Sequence, residues 1–595
     1  MNTSPITYTL KLFDPAAHIF EVACEVATPN PEGQCFYLPA WVPGSYMIRE
    51  FAQHVIDATA FSNNEPVTLT KIDKATWRAA AVPAGQTLTL IWYVYAWDWS
   101  VRAAYLDEQV AFFNASSVFP VVVGFEHAPC TLHLPRPTSA SQNAWQVATT
   151  LTACRQDLLD SQGFGLYAAP DYYTLLDNPV VIGTLSRAQF NVEGIPHEIV
   201  LYGHHDCDLS RLTKDLEKIC RWQHQLLGTP ADLKTYRFLV QATSNGYGGL
   251  EHQSCTVLFT PRKALPYPGM EGCPSDYQNF LGLCSHEYFH LWNVKRLKPA
   301  NFAKLNLREE NYTALLWFFE GFTSYYDDRA LIQAGLINQT DYLTLLAKHI
   351  NAVEQHAGQF KQSLQAASWD AWIKYYRPNE NSPNATVSYY AKGALLALCL
   401  DLKLRQSPKN LTLDAWMHSL WQEYGQTGQG LSESALFASL STYADPDTSQ
   451  WLHTAISTPT ALPLSELLGE IGFTLEYKPS HPQPSLGIRT KLEDGLHRIT
   501  HVSDNSPGLA AGLSAGDLMV ACNGLKLPAE GLPEALSRSK AGEQITLHAF
   551  RQDVLFSTQA TLNPPELDKA HITPAARVSE AQQTRQNAWL APKNP

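Results

Sequence analysis

The 595-residue chain reads as a multidomain protein. An all-β sandwich covers residues 1–203, an α+β domain covers 204–470, and a small β-rich module covers 480–565 ahead of a tail at 566–595. Three observations carry this reading. Up to about residue 200, apolar and polar residues alternate in short runs broken by Pro and Gly, the period of half-buried strands. From about 205 helical spacing takes over, with a few strands between, the pattern of an α+β domain. At Lys478-Pro479-Ser480-His481-Pro482-Gln483-Pro484 the texture becomes that of a linker, and short strands return after it.

The elements follow in order. Ile6-Thr7-Tyr8-Thr9-Leu10-Lys11-Leu12 and Leu88-Thr89-Leu90-Ile91-Trp92-Tyr93-Val94-Tyr95 are typical strands of the first domain. Trp41-Val42-Pro43-Gly44-Ser45-Tyr46 and Ser100-Val101-Arg102 read, on their own, as turns and strand ends. Leu209 to Leu227 has helical spacing, and Tyr236 to Val240 and Cys255 to Phe259 read as strands on either side of Gly246-Tyr247-Gly248-Gly249-Leu250-Glu251-His252. From 275 to about 460 the chain is mostly helical. The last 30 or so residues are polar and contain Pro, so they are expected to be loosely held.

Composition narrows the function classes. Hydrophobic residues make up 45% and charged residues 17%, as in a globular protein. The net charge is −13 with no long basic run, which argues against nucleic acid and anionic membrane as partners. The amino end shows neither a basic nor an apolar leader segment, and no apolar stretch is long enough to span a membrane. Eleven cysteines without a C-x-x-C pair read as reduced thiols, so a cytoplasmic location is expected.

The chemistry concentrates in His286-Glu287-Tyr288-Phe289-His290, an H-E-x-x-H string flanked by Phe280-Leu281-Gly282-Leu283 and Leu291-Trp292. On a helix, His286 and His290 lie one turn apart on one face and can share a zinc ion. Glu287 beside them is placed to take a proton from a metal-activated water. Burying two His and a Glu in an apolar helix without a partner is costly, and a metal removes that cost. A third ligand is expected downstream. Spacing alone selects Glu309, with eighteen residues between it and His290. Burial selects Glu320, a carboxylate in the middle of Leu315-Leu316-Trp317-Phe318-Phe319-Glu320-Gly321-Phe322, whereas Glu309 and Glu310 look like the acidic start of a helix. Glu320 is preferred. Asp327, two turns further on, is a candidate to orient a zinc-bound His.

His286 through Arg296, followed by Trp317-Phe318-Phe319-Glu320-Gly321-Phe322-Thr323, resembles the glycyl aminopeptidase family of zinc metallopeptidases, whose members carry a C-terminal PDZ domain. The stretches 41–46 and 100–102 also resemble that family's N-terminal domain. The resemblance implies a thermolysin-like catalytic domain with one zinc per chain. By motif it implies that Tyr390 in Tyr390-Ala391-Lys392-Gly393 stabilises the tetrahedral intermediate, with adjacent Tyr389 as the alternative. It implies that Glu251 binds the substrate's α-amine, with Gly248 and Gly249 letting backbone approach; Leu250 and His252 depart from the Met and Asn of more distant aminopeptidases. Residues from about 484 to 562 resemble a bacterial-type PDZ domain, with Leu486-Gly487-Ile488 as the loop that captures a protein C-terminus. The activity implied is release of small N-terminal residues, Gly or Ala, from peptides. Two other readings stand beside it: a PDZ-guided endopeptidase, and a non-catalytic peptide-binding scaffold. Intact Glu287 and Tyr390 argue against the scaffold.

Overall fold

A computed structural model of the chain describes residues 4–139 and 142–591. The amino-terminal part is β-rich. Its largest sheet has eight strands in the order Thr152–Ala153, Gly165–Ala169, Cys130–Leu134, Ile6–Asp14, Ile19–Val26, Leu88–Tyr95, Val55–Ser62, Glu65–Val67. The alternation seen in the sequence is structural: Ile6, Tyr8 and Leu10 are buried while their neighbours are not. Two four-stranded sheets complete this part around the same apolar core.

The expected boundary after residue 203 moves back. Ser186–Val192 and Ile195–Tyr202 form a hairpin that belongs to the next sheet, ordered Ser186–Val192, Ile195–Tyr202, Tyr236–Thr243, Cys255–Pro261, Gly248–Glu251. The three central strands run parallel. The hairpin's alternating pattern continues the texture of the preceding strands, so the sequence changes character only at the helix Leu209–Leu227.

This sheet is a wall shared by two cores. Successive strand side chains point to opposite faces. Phe238, Val240 and Leu258 enter the helical core, while Leu239, Val257 and Phe259 enter the core of the β-rich part. Burial on both faces explains the unbroken apolar runs in these strands. Gly248–Glu251 is an edge strand, hydrogen-bonded only to Cys255–Pro261, with Gly249 opposite Leu258 and Glu251 opposite Thr256.

The helical half is built around Tyr389–Arg405, which is apolar on nearly all sides because neighbours surround it. Ser388 caps it by accepting the Ala391 N–H. Among the described residues no helix is long and apolar enough to cross a membrane.

The C-terminal module has its own core and a sheet whose strands run Ile488–Glu493, Leu496–Val502, Leu518–Cys522, Gln544–Arg551, Val554–Thr561. It leans on the helical half: Asn384 Nδ2 donates to the Val502 carbonyl at 2.8 Å, and His501 Nδ1 lies 2.9 Å from the Glu380 carbonyl. The loosely held tail expected after 566 is a misreading. Lys569–Pro574 pairs antiparallel with Phe473–Lys478, so the chain leaves the module beside the strand by which it entered. The helix Glu580–Leu590 then returns to the catalytic core, where Trp589 is fully buried and its Nε1 donates to the Tyr325 hydroxyl at 3.1 Å. The polar composition of that helix hid its apolar anchor, Trp589 and Leu590 at its end.

Candidate active site

The helix Ser275–Phe289 carries the H-E-x-x-H string at its C-terminal end, and His290 closes it. His286 and His290 stand one turn apart, ring centroids 4.7 Å from each other. Their Nε2 atoms both face one oxygen of Glu320, at 3.5 and 3.3 Å. Each Nδ1 is engaged behind: His286 with Asp327 Oδ2 at 2.8 Å, His290 with the Asn293 carbonyl at 2.8 Å. A carbonyl only accepts, so His290 carries its proton on Nδ1, and Asp327 favours the same tautomer in His286. Both Nε2 lone pairs therefore converge with a carboxylate oxygen, all three ligand atoms within 4.8 Å of one another. Two imidazoles and a carboxylate, oriented from behind, with His290 and Glu320 buried and His286 partly so, suit a zinc ion with one position left for water.

Glu320 is not in the middle of a helix, as the apolar run suggests. It sits at the joint between Leu316–Phe319 and Gly321–Gln333. The joint is fixed by a close backbone crossing. A Cβ on Gly321 would lie 2.5 Å from Gly393 Cα, and one on Gly393 would lie 2.6 Å from the Trp317 carbonyl oxygen. The Glu-Gly and Lys-Gly dipeptides thus meet, which brings Tyr390 to the site. Glu309 is exposed on a bend, not a helix start, and accepts a hydrogen bond from Asn306.

Glu287 projects into the same cleft. One of its oxygens is buried without a hydrogen-bond partner, and burial pushes its carboxyl up to about 7. A Cβ on Gly249 would stand 2.2 Å from Glu287 Oε1, so any larger residue there would displace the Glu287 carboxylate. Glu251 is 4% exposed, and one of its carboxylate oxygens lies within 4.8 Å of ligand atoms on Glu287 and His290. A Cβ on Gly44, at φ +92°, would sit 2.6 Å from both Glu251 oxygens. Behind Glu251, Asp177 accepts from Lys295 Nζ at 2.6 Å and from the Gln253 N–H at 2.8 Å, and lies 3.2 Å from His252 Nδ1. Lysine and histidine hold its carboxyl well below the usual range despite burial. This network ties the edge strand, the end of the motif helix and the β-rich part together.

Tyr390 lines the cleft with its ring 6.1 Å from that of His286. Tyr389 stacks on it at 4.7 Å, fully buried, its hydroxyl without a partner. The cleft has a volume of about 500 Å³ and is lined by Gly248, Gly249, Glu251, His286, Glu287, His290, Glu320, Asp327 and Tyr390, the catalytic-domain residues singled out from sequence. Sequence reasoning missed Tyr376 and gave Gly44, Tyr46 and Arg102 only a structural role. Gly44, Arg102 and Tyr376 line the cleft. Tyr46 is buried beside it, its phenol pushed up by burial and by the Glu320 and Glu251 carboxylates.

A family model described as the Peptidase M61 N-terminal domain matches residues 7–184, and one described as M61 glycyl aminopeptidase matches residues 279–396. The crystal structure of an aminopeptidase N family protein from Idiomarina loihiensis is 37% identical, with TM-score 0.93 over 99% of this chain and 100% of that one. The chain belongs to the M61 glycyl aminopeptidase family. It is a metallopeptidase. The end of the first match at 184 agrees with the start of the shared sheet at Ser186. An M1 zinc metallopeptidase from Deinococcus radiodurans gives a TM-score of 0.48 at 13% identity over 77% of this chain and 94% of that one, too slight a likeness to carry an argument. No curated protein matches the chain.

Leu486, Gly487 and Ile488 lie in the C-terminal module. Gly487 has φ +65°, and a Cβ there would meet Ser506 Cβ at 2.3 Å. Its N–H donates to Ser485 Oγ at 2.9 Å. Leu486 and Ile488 face a groove of about 250 Å³, closed on its other side by Leu532, Pro533 and Leu536.

Proposed function

We propose that this M61 metallopeptidase is a zinc aminopeptidase that releases one small residue, Gly or Ala preferred, from the amino end of short peptides. The observation that carries the reading is the placement of Glu251: a buried carboxylate beside Glu287 and His290, at the end of an edge strand. A carboxylate there pairs with a substrate α-ammonium and fixes the bond one residue away as the one to be cut. The bulk of Tyr376 and Tyr390 in the same cleft supports a small first residue.

His286, His290 and Glu320 would hold one zinc ion per chain, with Asp327 orienting His286. When bound, that ion supplies Lewis-acid activation of water and of the scissile carbonyl. Glu287 takes the proton of the attacking water and returns it to the leaving amine, a task that suits a carboxyl raised by burial. Tyr390 donates a hydrogen bond to the developing oxyanion; Tyr389, buried behind it, does not reach the cleft. The unpaired edge of Gly248–Glu251 and its two glycines let substrate backbone lie alongside.

The C-terminal module is proposed to be a PDZ domain. The free edge of Ile488–Glu493, rimmed by Leu486-Gly487-Ile488 and facing the groove, would take an extended protein C-terminus as an added strand. The eleven free cysteines suit a reducing compartment such as the cytoplasm.

The test is mass-spectrometric cleavage of one Ala-initiated peptide, free and N-acetylated, in parallel. Single residues are expected to leave the free form alone. Internal cuts in both forms would establish an endopeptidase instead.

A further inference from the structure

Arg102 reaches the cleft from the β-rich part. Val101 beside it is buried, and the Arg102 backbone N–H donates to Ser100 Oγ at 3.2 Å, which fixes the turn. The guanidinium stands over the start of the edge strand: Nη1 and Nη2 lie 3.8 and 3.9 Å from where a Cβ on Gly248 would be. Its Nε is buried with no hydrogen-bond partner. Among the described residues, no carboxylate pairs with this side chain and no oxygen accepts from it. A buried N–H left unpaired is destabilising, and arginine does not escape by losing its proton.

A second guanidinium, Arg49, is near enough for Arg102 to help push it down to about 10, after burial. Arg49 is held by neutral oxygens, the Ser45 and Met47 carbonyls and Ser45 Oγ, not by a carboxylate. Two neighbouring cations without a contacting anion, one of them with an idle buried donor, make a site for an incoming carboxylate. The planar fork of arginine matches that group with two parallel hydrogen bonds.

Arg102 and Glu251 line one cleft, near opposite ends of the edge strand. Gly248 and Glu251 are three residues apart in extended chain, about 10 Å. An extended tripeptide spans about the same distance. We propose that Arg102 receives the α-carboxylate of a tripeptide whose α-ammonium rests on Glu251, so that the cleft measures the substrate from both ends. This rests on the aminopeptidase reading of Glu251. Longer peptides, or peptides with a blocked carboxyl end, leave Arg102 unpaired and bind less well.

The experiment compares Ala-Gly-Gly as the free acid, as its C-terminal amide and as its N-acetyl derivative, with wild-type zinc-loaded enzyme and the R102Q and R102K variants. Wild type is expected to favour the acid over the amide about ten-fold in kcat/KM, chiefly through KM. In R102Q the ratio falls to about one, and R102K keeps an intermediate ratio. Zinc content and thermal midpoint report whether each variant is folded. A wild-type ratio near one, or a ratio unchanged in R102Q, overturns the proposal. Cleavage of the N-acetyl peptide as fast as the free acid would sink the amine role of Glu251 on its own, while the acid-to-amide ratio still decides Arg102.

Discussion

The two ends of the cleft are built on opposite plans. At the proposed metal end every candidate ligand is tied from behind: His286 to Asp327, His290 to the Asn293 carbonyl, and Glu320 fixed by the Gly321–Gly393 crossing. At the proposed substrate end, no ion pair among the described residues engages Glu251 or Arg102, and the Arg102 Nε is buried without a hydrogen-bond partner. A resident ion needs its ligands oriented before it arrives, because the geometry sets its affinity and acidity. A transient substrate brings its own ammonium and carboxylate, and a site already neutralised would have nothing to offer them. On the proposed function, satisfied polar groups belong to the residues with a permanent partner and unsatisfied ones to the residues that meet a passing one.

Glu287 stands between the two plans, and replacing it gives the largest expected effect. Glu287→Gln keeps shape and leaves all three metal ligands untouched. Zinc content should match wild type, while kcat/KM falls about 10³-fold, the scale for loss of a general base. Metal analysis beside peptide kinetics checks both halves. Near-wild-type turnover in this variant would remove Glu287 as the base and leave the separation between the two ends without its hinge.

The next contrast lies within one pair of tyrosines. Tyr390→Phe removes the cleft-facing hydroxyl and should lower kcat by about 10²-fold, the scale for one oxyanion donor. Tyr389→Phe removes a buried hydroxyl that has no partner, so activity should stay within about twofold and the protein should be no less stable. If the two results were exchanged, the oxyanion donor would be Tyr389 and the assignment of cleft-facing residues would have to be redrawn.

The metal end was also the more legible of the two in sequence, for the same physical reason. A resident ion imposes short-range spacing: two His one turn apart, a carboxylate inside an apolar run, an Asp two turns on. The position of Glu320 beside His286 and His290 was foreseeable because a buried charge in Leu316-Trp317-Phe318-Phe319-Glu320 demands a partner, although the helix break at Glu320 itself was not visible. The substrate end is assembled across domains. Gly44, Tyr46 and Arg102 come from the β-rich part, and nothing local in 41–46 or 100–102 states which cleft they will meet. In the fold, alternating strands and the catalytic helices were readable. The boundary was misplaced because the Ser186–Tyr202 hairpin shares the alternation of the strands before it, and the return of Glu580–Leu590 was missed because only Trp589 and Leu590, at its end, anchor an otherwise polar helix.

Asp327→Asn tests how much the back-tie on His286 contributes. Asparagine keeps the volume but loses the negative charge that holds the Nδ1 proton, so zinc affinity should fall about 10- to 100-fold. At saturating zinc, kcat should recover most of its wild-type value. Competition with a chelator, followed by activity, reads the shift. An unchanged affinity would mean that helix packing alone orients His286.

The smallest effect probes the support one layer further back. His197 Nδ1 donates to the Ile195 carbonyl at 2.9 Å, so its Nε2 accepts from the Tyr288 hydroxyl at 2.7 Å. That hydroxyl in turn accepts from His224 Nε2 at 2.7 Å, and His224 Nδ1 accepts from Thr229. Every site is filled only while both rings are neutral, and burial pushes His197 down to about 4 and His224 down to about 3. The sign follows: between pH 6.5 and 4 the unfolded chain takes up protons at both histidines and the native state does not. Stability is therefore present above pH 6.5 and is lost as pH falls, on the order of 3 kcal/mol for His197 by pH 4. His224→Gln keeps a donor toward Tyr288 but cannot titrate. In zinc-free protein, where metal release does not add its own protons, the slope of log unfolding constant against pH over this window should drop by about one proton. An unchanged slope would show that His224 is already protonated in the native state, and that the layer behind the motif helix is not the closed, neutral network on which a prearranged metal end depends.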